Sequence, residues 1–506
     1  MYSSKWSPLK LITLVFISTL FFASGAVAQT TSSPYSRYGI GDLGVKGYGQ
    51  GFSLGGTHIA MQNDTVPMFF INNGNPASYS NMRLVTAEVG ANYTRTTLQS
   101  STAKKTINNA SLGYISLAFP FKKWWGASAG LIPFSSVGYK ISDEQDITSV
   151  GKVKFLYEGA GGINQVYFGN GIKPLYGLPR MYQTSAKYRA LKSLKRSDNT
   201  LKTCQEVYAD MQKIRHAMNR KKFLQSLSLG ANASYLFGNI ENTRRSIFPG
   251  SYYGFNTRTG TDTRVDGLYF DYGMQMAYGV DSVRYKDDKD TCRPVKFRKL
   301  DEKVRIMFGA TFSAQSNLQA TIDSLSYSYF TNSLGYEIVK DTIENTKGTK
   351  GKITIPLSFG FGVAFKKGER ITIAADVAIQ NWSAYTAFGE SDGLRNSMRT
   401  SLGFQFIPSS KPNATYFKRV HYRLGVRYLQ TALELKATPL NEYAGSIGFG
   451  FPVGRSFILQ NFSMVNIGAE FGQRGTLTNG LVKENFIKAT IGFTLNDRWF
   501  QKPKFD

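Results

Sequence analysis

Phe486-Ile487-Lys488-Ala489-Thr490-Ile491-Gly492-Phe493-Thr494-Leu495-Asn496 is the stretch that decides the fold. Ile487, Ala489, Ile491, Phe493 and Leu495 fall on one face of an extended chain, and Phe486, Lys488, Thr490, Gly492 and Thr494 on the other. A period of two is the strand period and not the helical one. Just upstream, Val465, Ile467, Ala469 and Phe471 alternate in the same way with Asn466, Gly468, Glu470 and Gly472. A soluble sandwich would turn the apolar face to its core. An outer-membrane barrel turns that face to lipid and lines its lumen with glycine, small polar groups and a few charges.

Working outward, the alternation predicts strands at 83–95, 108–119, 124–140, 153–172, 223–240, 265–283, 302–322, 352–366, 370–386, 397–407, 418–431, 442–452, 463–475 and 485–496. Fourteen is an even number, so both ends of the barrel lie on one side, the periplasmic side in bacterial barrels. Tilted strands of about ten residues cross a bilayer, and closure removes the edges that lipid could not satisfy. The reading is all-β: a fourteen-stranded antiparallel transmembrane β-barrel with an N-terminal hatch and a helical periplasmic insertion. The connections 96–107, 241–264 and 323–351 are long and polar, as external loops should be, while 120–123 and 367–369 are short periplasmic turns. By strand parity 173–222 and 284–301 are extended periplasmic connections.

Composition agrees. The 506 residues carry 61 Lys+Arg against 34 Asp+Glu, with 14% aromatic and only 19% charged residues, so disorder and coiled coil are excluded. After the first 28 positions no apolar run reaches the 18 residues of a helical span. Residues 1–28 read as a cleaved signal peptide, with Lys5 and Lys10 before the apolar Leu11–Phe22 and a small-residue site at Ala26-Val27-Ala28. The expected localisation is the outer membrane of a Gram-negative bacterium. The expected organisation is 1–28 signal peptide, 29–82 hatch, and 83–506 barrel carrying the insertions 173–222 and 284–301.

The segment before the first strand reads Gly47-Tyr48-Gly49-Gln50-Gly51-Phe52, Gly55-Gly56, Ile59-Ala60, Phe69-Phe70-Ile71 and Asn75-Pro76-Ala77. It resembles the N-terminal hatch of the FadL/TodX family of outer-membrane transporters for fatty acids and aromatic hydrocarbons. The resemblance implies a plugged fourteen-stranded barrel, with Asn75, Pro76 and Ala77 as the hatch turn. It implies passive uptake of a hydrophobic small molecule, with Phe69 and Phe70 as candidate pocket residues. Pro133 and Phe134, in Gly130-Leu131-Ile132-Pro133-Phe134, match the kinked strand that opens the wall sideways in that family; a bulge near the rim is the plainer reading of the same proline. The family also includes a secretion-system shuttle, so a non-transporting docking protein is the alternative. Here Asn72-Asn73-Gly74 departs from the family, which runs from an aromatic straight into Asn-Pro.

Other constellations carry less. Gly39-Ile40-Gly41-Asp42-Leu43-Gly44 fits a dinucleotide fingerprint by letter, without the preceding strand or βαβ unit that it needs. His58, His216 and His421 are too dispersed for a metal site, no nucleophile motif supports an enzyme, and no cofactor is implied. Lumen-facing charges expected from the alternation are Glu88, Asp271, Arg305, Asp376, Arg399, Arg423, Arg427, Glu470 and Lys488, of mixed sign and therefore expected to pair with one another and with the hatch.

Residues 173–222 carry thirteen Lys+Arg against Asp198, Glu206 and Asp210. Leu201, Cys204, Val207, Met211, Ile214 and Met218 give that insertion a helical stripe over about 200–220, with a shorter helix at 185–196. A periplasmic protein or anionic lipid suits its charge, nucleic acid does not, and a solvated hairpin capping the barrel is the equal alternative. Outer-membrane lipid and lipopolysaccharide are the surrounding partners. Cys204 and Cys292 share the periplasmic side and form a disulfide candidate, although Cys204 also occupies an apolar helix position suited to a free thiol.

Overall fold

The computed structural model describes residues 32–44, 49–62, 70–148, 150–176, 223–248, 254–280, 304–409, 411, 413–453 and 462–497. Fourteen strands form the barrel. They are β1 Val85–Gln99, β2 Lys104–Lys122, β3 Trp125–Ile147, β4 Gly151–Ile172, β5 Ser228–Ile247, β6 Asn256–Val280, β7 Val304–Ser313 continued by Ser316–Thr331, β8 Glu337–Ile355 continued by Ser358–Lys367, β9 Ile371–Gln380, β10 Ser397–Phe406, β11 His421–Leu435, β12 Thr438–Val453, β13 Phe462–Arg474 and β14 Lys483–Asp497. Each pairs antiparallel with its sequence neighbour, and β14 closes on β1 from Lys483↔Gln99 to Asp497↔Val85. Val85 and Asp497 therefore mark one end, the periplasmic one.

The alternation read from the sequence places side chains as expected. In β14 Ile487, Ile491, Phe493 and Leu495 face outward and are exposed, while Phe486, Thr490 and Thr494 are buried. The same holds around the wall, with Val166 and Phe168 on β4, Phe361 and Val363 on β8, and Leu424 and Val426 on β11 turned out. A closed barrel with an outward apolar band is an outer-membrane barrel, because lipid is the surroundings that leave no cost on those side chains. No described helix is long and apolar enough to cross a membrane.

The external ends differ from expectation. Residues 96–107, 241–264 and 323–351 are mostly strand: β7 and β8 stay paired from Ser316↔Ile355 up to Thr331↔Glu337, with three register shifts. Alternation fails there because both faces meet water, as the unbroken exposure of residues 339–350 in β8 shows. Consequently β3, β4, β5 and β6, of 23, 22, 20 and 25 residues, rise well above β9 and β10, of 10 each. The strand expected at 370–386 ends at Gln380, after which Trp382–Ala384 forms a 3-10 turn and Thr386–Ala387 pairs with Ile353–Thr354 of β8. The helices expected at 185–196 and 200–220, the connection 284–301, the signal peptide, and Cys204 with Cys292 lie outside the described residues.

Candidate functional site

Residues 32–44, 49–62 and 70–84 lie inside the barrel, and the wall is shaped to receive them. Asn75 is fully buried and caps the 3-10 helix Pro76–Asn81: its Oδ1 accepts from Ala77 N at 3.2 Å, and its Nδ2 donates to the Ile59 carbonyl at 2.7 Å. That turn presses on wall glycines. A Cβ added at Gly171 of β4 would stand 2.7 Å from both the Pro76 carbonyl oxygen and the Ser80 nitrogen, one at Gly230 would meet the Pro76 carbonyl, and one at Gly273 the Asn75 side chain. Across the lumen, a Cβ at Gly403 of β10 would stand 2.7 Å from the Leu54 carbonyl oxygen, and Gly425 of β11 abuts Gly55. Gly55 itself needs φ +68°, a left-handed conformation that glycine adopts freely, to pass Val426.

Wall side chains hold the same segment by its backbone. Asp376 Oδ2 accepts from His58 N at 2.6 Å and Ile59 N at 2.9 Å, and Glu88 Oε1 from Ile71 N at 3.1 Å. Gln275 Nε2 donates to the carbonyls of Ile59 at 2.9 Å and Met61 at 3.1 Å, and Ser446 Oγ accepts from Gly55 N at 3.0 Å. Each satisfies a backbone group that burial would otherwise leave costly. Between segment and wall there remains a cavity of about 10 Å³ lined by Leu54, His58, Phe70, Asn72, Glu88 and Asn466 among others, room for about one water.

Of the nine expected lumenal charges, Arg427, Glu470 and Lys488 form ion pairs, while Glu88 and Asp376 hold the inner segment. Arg427 meets Glu442 at 2.6 Å and Glu470 at 3.0 Å, and Lys488 lies 3.8 Å from Glu470. Arg423, buried, donates to Gln405 at 2.8 Å and Asn466 at 2.7 Å. The sequence reading missed Glu442, Arg474 and Glu484, which sit at strand ends where lumen and rim look alike. Arg474 bridges Glu484 and Asp42 at 2.7 Å each and so ties the inner segment to β13 and β14. Beside it Tyr35 exchanges hydrogen bonds with Val482, and burial pushes its phenol up to about 12.

Toward the external end the lumen is apolar and filled from within. Phe134, Ile163, Leu236, Tyr269, Leu318 and Ile355 point inward from the wall, and Ile40, Trp382 and Tyr385 complete their packing. Trp382 and Tyr385 arrive from the connection after β9, which the sequence had suggested as strand. Next to this cluster the wall has a seam. β2 and β3 pair only from Lys122↔Trp125 to Ile115↔Leu131, whereas β3 stays paired with β4 to Ile147. Pro133 stands just above the last β2–β3 pair, and the β3–β4 register shifts between Pro133 and Ser135. The inner segment runs along that edge of β3: Asp42 and Leu43 pair with Ser136 and Ser135, Gly44 N donates to Phe134 O at 2.9 Å, and Ser33 N to Gly138 O at 2.8 Å. Ser32 reaches Asn109 of β2. The six residues Gly39–Gly44 thus serve this edge and belong to no βαβ unit.

Of the residues singled out from sequence, Asn75, Pro76 and Ala77 come together as a buried turn, Pro133 and Phe134 mark the seam, and Phe70 lines the small cavity against Met61. Phe69 lies outside the described residues. Among the described residues no cluster of His, Cys, Asp and Glu could hold a metal.

Solved structures with a similar fold include the Pseudomonas putida toluene transporter TodX, at 13% identity over 91% of this chain and 99% of that one with a TM-score of 0.47. A Pseudomonas aeruginosa FadL homologue matches at 10% identity over 92% and 100%, TM-score 0.48, and the CymD monoaromatic hydrocarbon channel at 12% over 91% and 99%, TM-score 0.44. At these values the likeness concerns the barrel and carries no function with it. No curated protein sequence matches the chain. The family model described as BamG matches residues 9–179 and 294–506, most of the chain, and the protein therefore belongs to the BamG family.

Proposed function

We propose that this protein is a non-conducting docking barrel of the outer membrane, anchored by its apolar band and offering its two ends to other proteins. The observation that carries the reading is the fit of the inner segment: wall glycines meet its backbone on both sides of the lumen, with a cavity of about 10 Å³ beside it. Ligand sites for drug-sized molecules run to about 300–1,000 Å³. The test is flux. Proteoliposomes containing the full chain should take up a long-chain fatty acid or a monoaromatic hydrocarbon no faster than protein-free vesicles. Uptake above that background, or an apolar molecule retained stoichiometrically through purification, overturns the docking reading.

The seam favours a second reading, passive uptake of a hydrophobic small molecule with lateral exit beside Pro133. In it, the apolar cluster around Phe134 and Tyr269 is the ligand chamber, occupied by Ile40, Trp382 and Tyr385 until ligand displaces them. Trp382→Ala with Tyr385→Ala should then create a hydrocarbon site that the unaltered chain exposes only transiently.

A further inference from the structure

Cations at the external end of the barrel are used differently on its two faces. Facing outward, they pair across strands, as in Lys140–Glu158 at 2.5 Å, Arg245–Glu337 at 3.6 Å and Arg258–Glu337 at 3.2 Å. Facing inward, two arginines stack on aromatic rings instead. Arg37, on the inner segment, lies over Tyr38 at 5.3 Å and over Tyr157 of β4 at 5.8 Å. Arg244 of β5 lies over the same Tyr157 at 5.6 Å and over Phe155 at 5.9 Å. Register puts Arg244 opposite Tyr157, and Tyr139 of β3 completes this wall by donating to Asn242 Oδ1 at 2.8 Å. Both arginines are exposed, and among the described residues neither stands within ion-pair distance of a carboxylate. Carboxylates on that side hold other groups: Asp143 accepts from Gln145 Nε2 at 2.8 Å, and Asp392 from Gly39 N at 3.0 Å. The stretches 1–41, 147–157 and 242–261, which carry the two arginines and adjoin them, contain no Asp or Glu.

A guanidinium stacked on a ring keeps its N–H edge free, and that edge meets a carboxylate through two parallel hydrogen bonds. Tyr157 already carries both guanidiniums, so its ring is not open for a sugar to stack on. Phosphates of the outer leaflet are a poor match as well, because the pair faces the lumen and the wall strands stand between it and lipid. What reaches this place is a chain entering the mouth from outside, and the chemistry that suits it is carboxylate. Arg37 also ties the site to the strip 32–44, which hydrogen bonds hold along one edge of β3.

Resting on the docking reading, we propose that the external mouth walled by Tyr139, Tyr157 and Arg244 and floored by Arg37 receives an acidic peptide segment of a partner protein. The probe is fluorescein-labelled hexaglutamate, added to the detergent-purified full chain and followed by fluorescence anisotropy, with hexaglutamine as the uncharged control. Hexaglutamate should bind about tenfold more tightly, the combined effect of two exposed ion pairs. Arg37→Ala/Arg244→Ala should erase that preference. Lys140→Ala/Arg264→Ala takes the same charge from the outward face and should leave the preference within about twofold, since distant exposed charges are screened. Hydrogen exchange at residues 34–38 should slow when hexaglutamate binds. Equal affinity of the unaltered chain for the two peptides sinks the proposal whether or not either variant folds. So does equal loss in the two double variants, which would mark bulk attraction to a basic protein, and so does unchanged exchange at 34–38 in the bound state. Competition by inorganic phosphate at the peptide's own concentration would reveal a small-anion site and also overturn it. Failure of the docking reading shows separately: hydrocarbon uptake above background with hexaglutamate binding intact would end that reading and leave the acidic-peptide site standing.

Discussion

Gly171 and Gly403 face each other across the lumen on β4 and β10, and the paired substitution Gly171→Ala/Gly403→Ala tests whether the inner segment is clamped. At Gly171 the new methyl would lie 2.7 Å from two backbone atoms, Pro76 O and Ser80 N; at Gly403 it would lie 2.7 Å from Leu54 O. Ordinary contacts begin near 3.4 Å. The segment must therefore withdraw by about 0.7 Å at each site, and backbone cannot rotate aside as a side chain does. Overpacking of this kind costs about 1–3 kcal/mol per site, and the two sites are far enough apart to add. The barrel itself should persist, because its wall ladders are untouched, so heat-modifiable migration on gels should still report a folded barrel. What should change is closure: single-channel recordings in planar bilayers should show intermittent conductance in the double variant and none in the parent. Gly445→Ala is the control, since a Cβ there meets nothing within 4 Å. If the double variant and the control are equally silent and equally resistant to protease between residues 49 and 84, the clamp argument is wrong.

Asp376→Ala removes the acceptor of two backbone N–H groups, worth about 1.5–3 kcal/mol each for bonds to a charged group, and should raise hydrogen exchange at His58 and Ile59 well before the wall strands. Arg427→Met leaves Glu442 and Glu470 buried without their shared cation; a loss of about 3–5 kcal/mol should lower the unfolding temperature on gels, and adding Glu470→Gln should recover part of it. Tyr35 stays neutral until about pH 12 in place, while an unfolded phenol ionises near 10. Its stabilising effect is therefore complete below pH 10 and lost between 10 and 12, and protease protection of residues 32–44 should fall across that window. Mass spectrometry of the non-reduced chain should find Cys204 bonded to Cys292, and two free thiols would end that expectation.

The wall was legible because lipid and lumen impose opposite demands on alternate residues, as Ile487 and Thr490 illustrate by being exposed and buried respectively. Legibility stops where both faces meet the same medium. Residues 339–350 meet water on both sides, so β8 lost its period and read as loop. Asp42 was invisible for a different reason. Its letters fit a nucleotide motif, and only the fold shows that the flanking glycines let the chain lie against Ser135 and Ser136 while Asp42 reaches Arg474. Trp382 and Tyr385 sat at the end of an apolar stretch, where a strand and an inward-turned connection have the same composition.

The inner segment is held in two unlike ways, and the difference bears on either functional reading. Over 49–62 and 70–84 it is fixed by backbone pressed on wall glycines and by buried acceptors. From 32 to 44 it is fixed mainly by hydrogen bonds along one strand edge and by Arg474, whose side chain is still 14% exposed. Water and ions reach the second set sooner than the first. A docking barrel needs only the 49–84 part to stay closed, and its N-terminal strip is then free to respond to a partner without opening the pore. An uptake barrel would have to begin at that same strip, because Leu43 and Gly44 lie on the seam beside Pro133 while the clamped part stays below. Both readings therefore place the first movement at residues 32–44, and they part only over whether the apolar cluster behind Phe134 empties when that strip leaves.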